Sequence, residues 1–142
     1  MAYKLKAEGA NAFDLTEETV ETLEFENTSS DSSDARARDT YQTIRVTGRV
    51  RSAEDGDLKD STLAAAKWAL VPAALQTAYQ KITAEAVAAG QTTRKYEFTQ
   101  GFVVNYTEEF TDQSGVGKFA VAIRQKKDQL DRVKVSGGYA AE

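Results

Sequence analysis

The sequence predicts a mainly β fold, a small antiparallel β-barrel or sandwich with one short α-helix. Apolar and polar residues alternate over several separate segments, which is the period of a strand with one buried face. Ser61–Leu70 has the pattern of a short helix. The alanines of Tyr79–Ala89 also suit a helix, but its alternation and the turn that follows favour a strand. With 142 residues, 41% of them hydrophobic and 28% charged, we expect a single globular domain over residues 1–142.

The longest alternation lies in Lys95–Arg124 and predicts two antiparallel strands joined by a polar, glycine-bearing connection. The first strand has its large apolar residues at even positions and the second at odd positions. We expect these residues to face the core: Tyr96, Phe98, Phe102, Val104 and Tyr106, then Phe119, Val121 and Ile123.

Further alternating segments raise the expected number of strands to between six and eight. They are Tyr3–Ala7, Glu21–Glu26, Tyr41–Arg51, Tyr79–Ala89 and a short strand containing Val133 and Val135. Glu8–Asn11 and Ala89–Thr92 are typical of turns, and Ser136–Tyr139 of a loose tail.

In the expected helix, Leu63, Ala66 and Leu70 fall on one stripe, and Trp68 beside Leu75 is predicted to anchor the helix to the barrel. Asp60 or Ser61 can cap its first turn, and Pro72 ends it.

Two features are candidates for contact with a partner. Asn27–Asp39 contains no large apolar residue and predicts an exposed loop, longer than an ordinary strand connection. From the residues alone, a mobile hairpin loop is the favoured interpretation of this segment, and a functional loop is the second. Arg45, Arg49 and Arg51 lie on one strand face. They either bind a phosphate or a partner, or they pair across the sheet with Glu24, Glu26 or Glu97. Pairing is the favoured interpretation, and subunit contact is second.

Composition and failed motifs argue against an enzyme. The chain has no cysteine and no histidine, which excludes disulfides, thiol nucleophiles and histidine acid–base catalysis. Gly115–Lys118 lacks two residues of a phosphate-binding loop, and Ser52–Asp60 lacks the ligand spacing of a calcium loop. Glu108 and Glu109 are adjacent on a strand and cannot face each other. We expect no metal and no cofactor.

The charge and the N-terminus bear on location. A net charge of −4 disfavours nucleic-acid binding as a primary role. No segment is long and apolar enough to span a bilayer, and the first residues carry no signal-peptide pattern. We expect synthesis in the cytoplasm and, if the protein leaves the cell, export without a signal peptide.

The order of elements and one stretch of sequence resemble a known family. The stretch has an aromatic-rich strand ending in an acidic–Phe pair, a polar link and a closing strand: Phe98, Gly101, Phe102, Tyr106, Glu109 and Phe110, then Phe119–Lys127. This resembles the Hcp (haemolysin-coregulated protein) family, the inner-tube subunit of type VI secretion. It is also similar to the tail-tube proteins of contractile phages and related injection particles.

The resemblance implies a structural subunit that forms hexameric rings, which stack into a hollow tube. A contracting sheath would propel the tube with its spike, and cargo effectors would travel in the lumen. The implied partners are other copies of the chain and the sheath, baseplate and spike proteins. The implied inter-ring contact is the loop with Ser32, Asp34, Arg36, Arg38 and Asp39, and the implied inter-subunit strand face carries Arg45, Arg49 and Arg51.

Other functions stay open at this point. Within the tube hypothesis, type VI secretion is favoured over a phage tail or an extracellular injection particle. A small β-barrel module that binds a ligand or peptide is the alternative, with Tyr96, Phe98, Phe102 and Tyr106 lining its interior. Plain core packing is the stronger interpretation of those aromatic residues.

Overall fold

The computed structural model describes residues 1–28, 41–50, 61–72, 74–111, 117–126 and 133–138. Within these ranges it contains one antiparallel sheet of eight strands, one α-helix and a 3₁₀ turn at Gln76–Ala78, which confirms the expected mainly β class. The strands are β1 Ala2–Glu8, β2 Phe13–Leu15, β3 Val20–Thr28, β4 Tyr41–Val50, β5 Gln80–Ala88, β6 Gln91–Glu109, β7 Gly117–Gln125 and β8 Lys134–Gly137. The helix α1 is Ser61–Ala69.

The sheet divides into two layers that share the long strand β6. The strand order is β2-β1-β5-β6-β7-β4-β3, and β8 also pairs with β6. Gly101 is the position where β6 pairs with β5 on one edge, at Gln80, and with β7 on the other, at Gln125. The first layer is therefore β2, β1, β5, β8 and β6 up to Gly101. The second layer is β6 beyond Gly101, β7, β4 and β3.

The core lies between these two layers. The ring of Phe25 on β3 stacks on Tyr96 of β6 and is tilted against Phe98, although β3 and β6 are not neighbours in the sheet. β1 of the first layer also lies close to β3 of the second. Both layers contribute buried apolar side chains, among them Leu5, Leu15, Ile82, Phe98, Ile44, Val46, Phe119, Val121 and Ile123.

The strand β6 changes layer at Thr99–Gly101, where it has one residue more than β5 between the pairs Ile82–Phe98 and Gln80–Gly101. Such a bulge bends a strand and lets it pass from one layer to the next. A Cβ at Gly101 would lie 2.7 Å from Ile82 Cγ1, so the corner requires glycine. The buried Gln125 side chain accepts a hydrogen bond from the Gln100 N–H (2.9 Å) and donates one to Thr99 Oγ1 (2.8 Å).

Two irregularities beyond Lys95 overturn the simple alternation expected along this part of β6. Besides the bulge at the corner, β6 has one extra residue opposite β7 between Val103 and Asn105. Each extra residue reverses the alternation, so that the side chains after it lie on the opposite face from the one expected. Tyr96, Phe98 and Tyr106 face the core as predicted, but Val104 is 40% exposed and Phe102 pairs with Arg124 on the outer face. The prediction that Phe102 and Val104 face inward was therefore wrong.

The helix α1 is present where expected, and the stripe of Leu63, Ala66 and Leu70 is not its buried face. Its buried residues are Thr62, Ala65 and Trp68, whereas Leu63 is 50% and Leu70 82% exposed. Trp68 determines this orientation because its indole packs against Phe13 (5.8 Å between ring centroids) and is almost fully buried. Trp68 is the predicted anchor; Leu75 is not part of it, being 53% exposed. The predicted cap at Asp60 or Ser61 concerns side chains outside the described residues.

Several boundaries also differ from expectation. Asn27 and Thr28 belong to β3, paired with Gln42 and Tyr41, so the prediction that these two residues lie in a loop was wrong. The rest of that loop, residues 29–39, lies outside the described residues, as does the acidic turn at residues 52–60. β2 was not predicted.

The two turns beside β6 had opposite outcomes. The turn predicted at Ala89–Thr92 is confirmed for Ala89 and Gly90, whose positive φ (52° and 79°) is the backbone of a tight hairpin, whereas Gln91 and Thr92 belong to β6. The predicted tail was wrong: Ser136 and Gly137 lie in β8, and the Gly138 N–H donates to the Thr93 carbonyl (2.7 Å).

Candidate assembly surface

The second layer has two edges without a neighbouring strand among the described residues. One is the outer edge of β3, which is the last strand of the sheet. The other is the edge of β6 that faces away from β7, because pairing with β5 ends at Gly101. Open strand edges are sites at which another chain can extend a sheet.

The outer face of the second layer carries a network of charged side chains. The guanidinium group of Arg45 bridges Glu24 (2.9 Å) and Glu26 (3.0 Å), and Arg49 contacts Glu21 at 3.2 Å. Thr22 and Thr47 are hydrogen-bonded beside them. The hydrogen bonds that Arg45 donates to Glu26 and Glu24 raise the pKa of its guanidinium group above the ordinary value. These groups are solvent-exposed, so the network neutralises charge but adds little stability.

The described charges on this face balance across the four strands. The acidic residues lie on the two edge strands and the basic residues on the two central ones: Glu21, Glu24 and Glu26 on β3, Arg45 and Arg49 on β4, Lys118 and Arg124 on β7, Glu109 on β6. Arg124 is held in place by the Tyr41 ring, whose centroid is 4.1 Å from its guanidinium carbon, and by a hydrogen bond to Thr43.

A groove lined by both apolar and polar side chains lies beside the open edge of β6. Its walls are the exposed face of α1, with Ala66, Ala69 and Leu70, and the β6 segment from Val103 to Tyr106, and its volume is about 450 Å³. Glu108, also on its wall, accepts a hydrogen bond from the Tyr106 hydroxyl (2.8 Å). Leu70 and Val104, both on the groove wall, expose apolar surface to solvent.

The sequence-predicted site residues have different outcomes. Ser32, Asp34, Arg36, Arg38, Asp39 and Arg51 lie outside the described residues. Arg45 and Arg49 share the outer face as expected. The favoured pairing is confirmed for Arg45, which contacts Glu24 and Glu26. Arg49 instead pairs with Glu21. Glu97 does not lie opposite these arginines, because its neighbours across the sheet are Thr83 and Lys134. A role of Arg45, Arg49 and Arg51 in subunit contact stays a prediction.

The carboxylates singled out in the sequence do not form a reactive pair. Glu108 pairs with the core residue Phe119, and Glu109 pairs with Lys118 on the other face. Within the ranges that the structure describes, no three acidic side chains converge on a possible metal position. No helix in those ranges is long and apolar enough to cross a membrane.

Comparison with solved structures gives whole-chain matches at low sequence identity. Hcp1 from Flavobacterium johnsoniae matches with a TM-score of 0.53 and 15% identity, over 97% of both chains. A chain of the anti-feeding prophage (AFP) baseplate, solved with 6-fold symmetry, matches with a TM-score of 0.55 and 9% identity, over 96% of this chain and 93% of that one. This chain has the fold of the Hcp-like contractile tube proteins.

A third structure with the Hcp-like fold belongs to an extracellular contractile injection system. It is a chain of the PVC sheath-tube complex in the extended state, with a TM-score of 0.51 and 10% identity, over 96% of this chain and 88% of that one. Neither a protein-family model nor a curated protein sequence matches this chain. The resemblance inferred from the sequence is thus confirmed at the level of the fold.

Residues on which the resemblance rested have definable roles in the Hcp-like fold. Phe98 is fully buried in the core, Gly101 forms the corner, and Tyr106 stacks on Phe119 (6.3 Å between centroids). The sequence interpretation missed the groove beside α1. The signal for it was present, since Trp68 lies on the opposite side of the helix from Leu63 and Leu70.

Proposed function

We propose that this chain is a structural subunit of the tube of a contractile injection system. The observation that carries the proposal is the fold likeness over nearly the whole chain to Hcp1 and to chains of two injection-particle assemblies. The 6-fold symmetry of the AFP baseplate supports rings of six copies, and the PVC sheath-tube complex supports a tube enclosed by a sheath.

The open edges of β3 and β6 give this role a physical basis. Joining strands edge to edge satisfies backbone hydrogen-bonding groups that a single subunit leaves at its edges. When the contact joins two different surfaces of the subunit, each copy uses one surface for the neighbour on one side and the other surface for the neighbour on the opposite side. A suitable rotation between copies then closes the assembly into a ring. Rings then stack, and the loop with Ser32, Asp34, Arg36, Arg38 and Asp39 provides the inter-ring contact.

The remaining parts of the proposal concern partners and location. The tube would bind sheath, baseplate and spike proteins and carry cargo effectors in its lumen, with a structural rather than a catalytic role. Assembly takes place in the cytoplasm, followed by export or release as part of an injection particle. Type VI secretion is the favoured system, and a phage tail or an extracellular particle would use the same subunit design.

The binding-module alternative gains no support from the interior of the described fold. The aromatic residues expected to line a cavity pack against other aromatic rings, Tyr96 on Phe25 and Tyr106 on Phe119, and Phe102 lies on the outer face. Close packing of this kind is that of a core.

Electron microscopy and light scattering of the purified full-length chain test the proposal. We expect hexameric rings at low concentration and stacked tubes at high concentration. A particle that stays strictly monomeric over a hundredfold range of concentration would contradict the proposed function.

A further inference from the structure

We propose that the cleft at the corner of the fold, where β6 passes from one layer to the other, is a binding site for the carboxylate group of a short acidic peptide segment. The cleft has a volume of about 570 Å³, which lies in the range of roughly 300–1,000 Å³ found for ligand sites. The site belongs to the single subunit. It goes beyond the proposed function, because nothing in it depends on rings or tubes.

The cleft is built by residues that are distant in sequence. It is lined by Glu8 at the end of β1, Gln76 in the 3₁₀ turn, Lys81 on β5, Thr99 and Gln100 on β6, and Lys126 after β7. The backbone holds two of these walls together, because the Lys126 N–H donates a hydrogen bond to the Gln100 carbonyl (2.8 Å). The folded subunit therefore presents the cleft already formed.

The side chain of Gln80 supplies a buried hydrogen-bond donor at this site. Gln80 lines the cleft and is only 2% exposed. Its Oε1 accepts a hydrogen bond from the Asn11 N–H (2.8 Å), which fixes the orientation of the amide. Its Nε2 is buried and has no hydrogen-bond partner in the part of the chain that the structure describes. Because an unpaired buried donor is unfavourable, an acceptor bound in the cleft would stabilise this amide.

Two lysines make the cleft suitable for a negatively charged acceptor. Lys81 and Lys126 both line it, and neither forms an ion pair with any acidic side chain that the structure describes. Lys126 is half-buried, with Nζ 5.2 Å from the centre of the Tyr79 ring. A carboxylate accepts several hydrogen bonds, and those from ammonium groups are among the stronger ones in proteins.

The rest of the lining favours a carboxylate on a peptide over a free phosphate. Glu8 is held by Lys6 at 3.3 Å, and its negative charge would repel a phosphate group more strongly than a singly charged carboxylate. A lone carboxylate fills only part of the cleft. Gln76 and Gln100 also line it, and their amides can both donate to and accept from a peptide backbone.

A peptide titration tests the ligand class. The probes are the capped tripeptides acetyl-Ala-Glu-Ala-amide and acetyl-Ala-Gln-Ala-amide, which differ only in the carboxylate. We expect the glutamate peptide to bind the full chain with a Kd of about 1 mM or lower and to shift the NMR signals of the Gln80 side-chain amide and of the Asn11 N–H. No shift at about 10 mM peptide, or equal binding of the glutamine peptide, would overturn the proposal.

Matched variants test the residues of the cleft. Lys126→Met removes a charge from the cleft, and Lys118→Met removes the same charge from an exposed position outside its lining. We expect Lys126→Met to raise the Kd about tenfold and Lys118→Met to leave it unchanged. Gln80→Glu keeps the acceptor for the Asn11 N–H but loses the Nε2 donor, so it should also abolish binding. If that variant fails to fold, Lys81→Met provides the second test.

The remaining outcomes identify other ligands and separate this proposal from the tube function. Equal weakening by Lys126→Met and Lys118→Met would show a general charge effect and overturn the site. Inorganic phosphate or succinate that binds as tightly as the glutamate peptide would overturn the assignment of an acidic peptide. Each of these results leaves the proposed tube function intact, because that function is tested by the formation of rings.

Discussion

The ring of Phe25 stacks on the ring of Tyr96, with centroids 4.4 Å apart and planes within 8° of parallel. Phe25 lies on β3, the edge strand of the second layer, and Tyr96 lies in the part of β6 that belongs to the first layer. This pair therefore joins the two layers at the edge that we propose to dock on the next subunit.

Replacing Phe25 should destabilise the subunit through both its area and its stacking. Because Phe25 is only half-buried, we expect Phe25→Ala to cost about 2 kcal/mol and Phe25→Leu about 1 kcal/mol in the free energy of unfolding. Urea denaturation at one fixed protein concentration measures both values. A double-mutant cycle with Tyr96→Leu should show a coupling of about 1 kcal/mol; no coupling would mean that the stacking itself contributes nothing.

The indole of Trp68 fixes α1 to the rest of the fold. Its Nε1–H donates a 2.8 Å hydrogen bond to the Ala78 carbonyl in the 3₁₀ turn. Trp68→Phe keeps an aromatic ring but leaves this carbonyl without its donor, so we expect a loss of roughly 2 kcal/mol in urea denaturation. Leu75→Ala, at an exposed position, is the control and should change the free energy by less than about 0.5 kcal/mol. Equal effects of the two substitutions would contradict the anchoring role of Trp68.

Gly48 should tolerate no side chain because of a steric clash, not because its backbone has a positive φ as in a turn. A Cβ there would collide with the Thr19 carbonyl, which accepts a hydrogen bond from the Arg49 N–H (2.9 Å). We expect Gly48→Ala to lower the free energy of unfolding by about 3 kcal/mol. Gly90→Ala meets no atom within 4 Å and adds only the cost of a positive φ, about 1 kcal/mol, in the same denaturation assay. The steric explanation fails if Gly90→Ala is the more damaging substitution.

The Arg45 network should matter little for folding. Because Arg45, Glu24 and Glu26 are exposed, we expect Arg45→Ala to shift the urea midpoint much less than Gly48→Ala does, and the shift to shrink further in 1 M NaCl, where roughly 3 Å of screening length remains. Ring formation by Arg45→Ala, compared with Arg45→Lys, tests the predicted role of this face in subunit contact. Unchanged rings in both variants would argue against that role for Arg45.

Deleting residues 30–37 tests the predicted inter-ring contact. We expect the shortened chain to fold and to form single rings, because the deletion leaves β3 and β4 intact, but to form fewer and shorter stacks. Electron microscopy at a concentration that gives tubes of the wild-type chain measures this, and a variant with the same segment replaced by glycine and serine controls for loop closure. Stacks of normal length in both variants would exclude the loop as the contact.

The sequence alone determined the strands, the helix and the absence of familiar catalytic groups. Alternation of period two was sufficient to locate β1, β3, β4, β5 and β7, and each of these strands has the predicted apolar face. The reason is that a strand with one buried face needs apolar residues on that face and polar residues on the other. The element order and the Phe98–Phe110 stretch were sufficient to suggest the Hcp-like fold.

The tertiary structure alone decided where those patterns break. The two extra residues that β6 has beyond Lys95 cannot be seen in the sequence, because they exist only relative to β5 and β7. They moved Phe102 and Val104 away from the core. The face of α1 was likewise decided by Trp68, whose partners Phe13 and Ala78 are distant in sequence. Local periodicity indicates which apolar side chains share one face of a helix or strand. Only packing between elements decides whether that face enters this subunit's core or remains available to the next subunit.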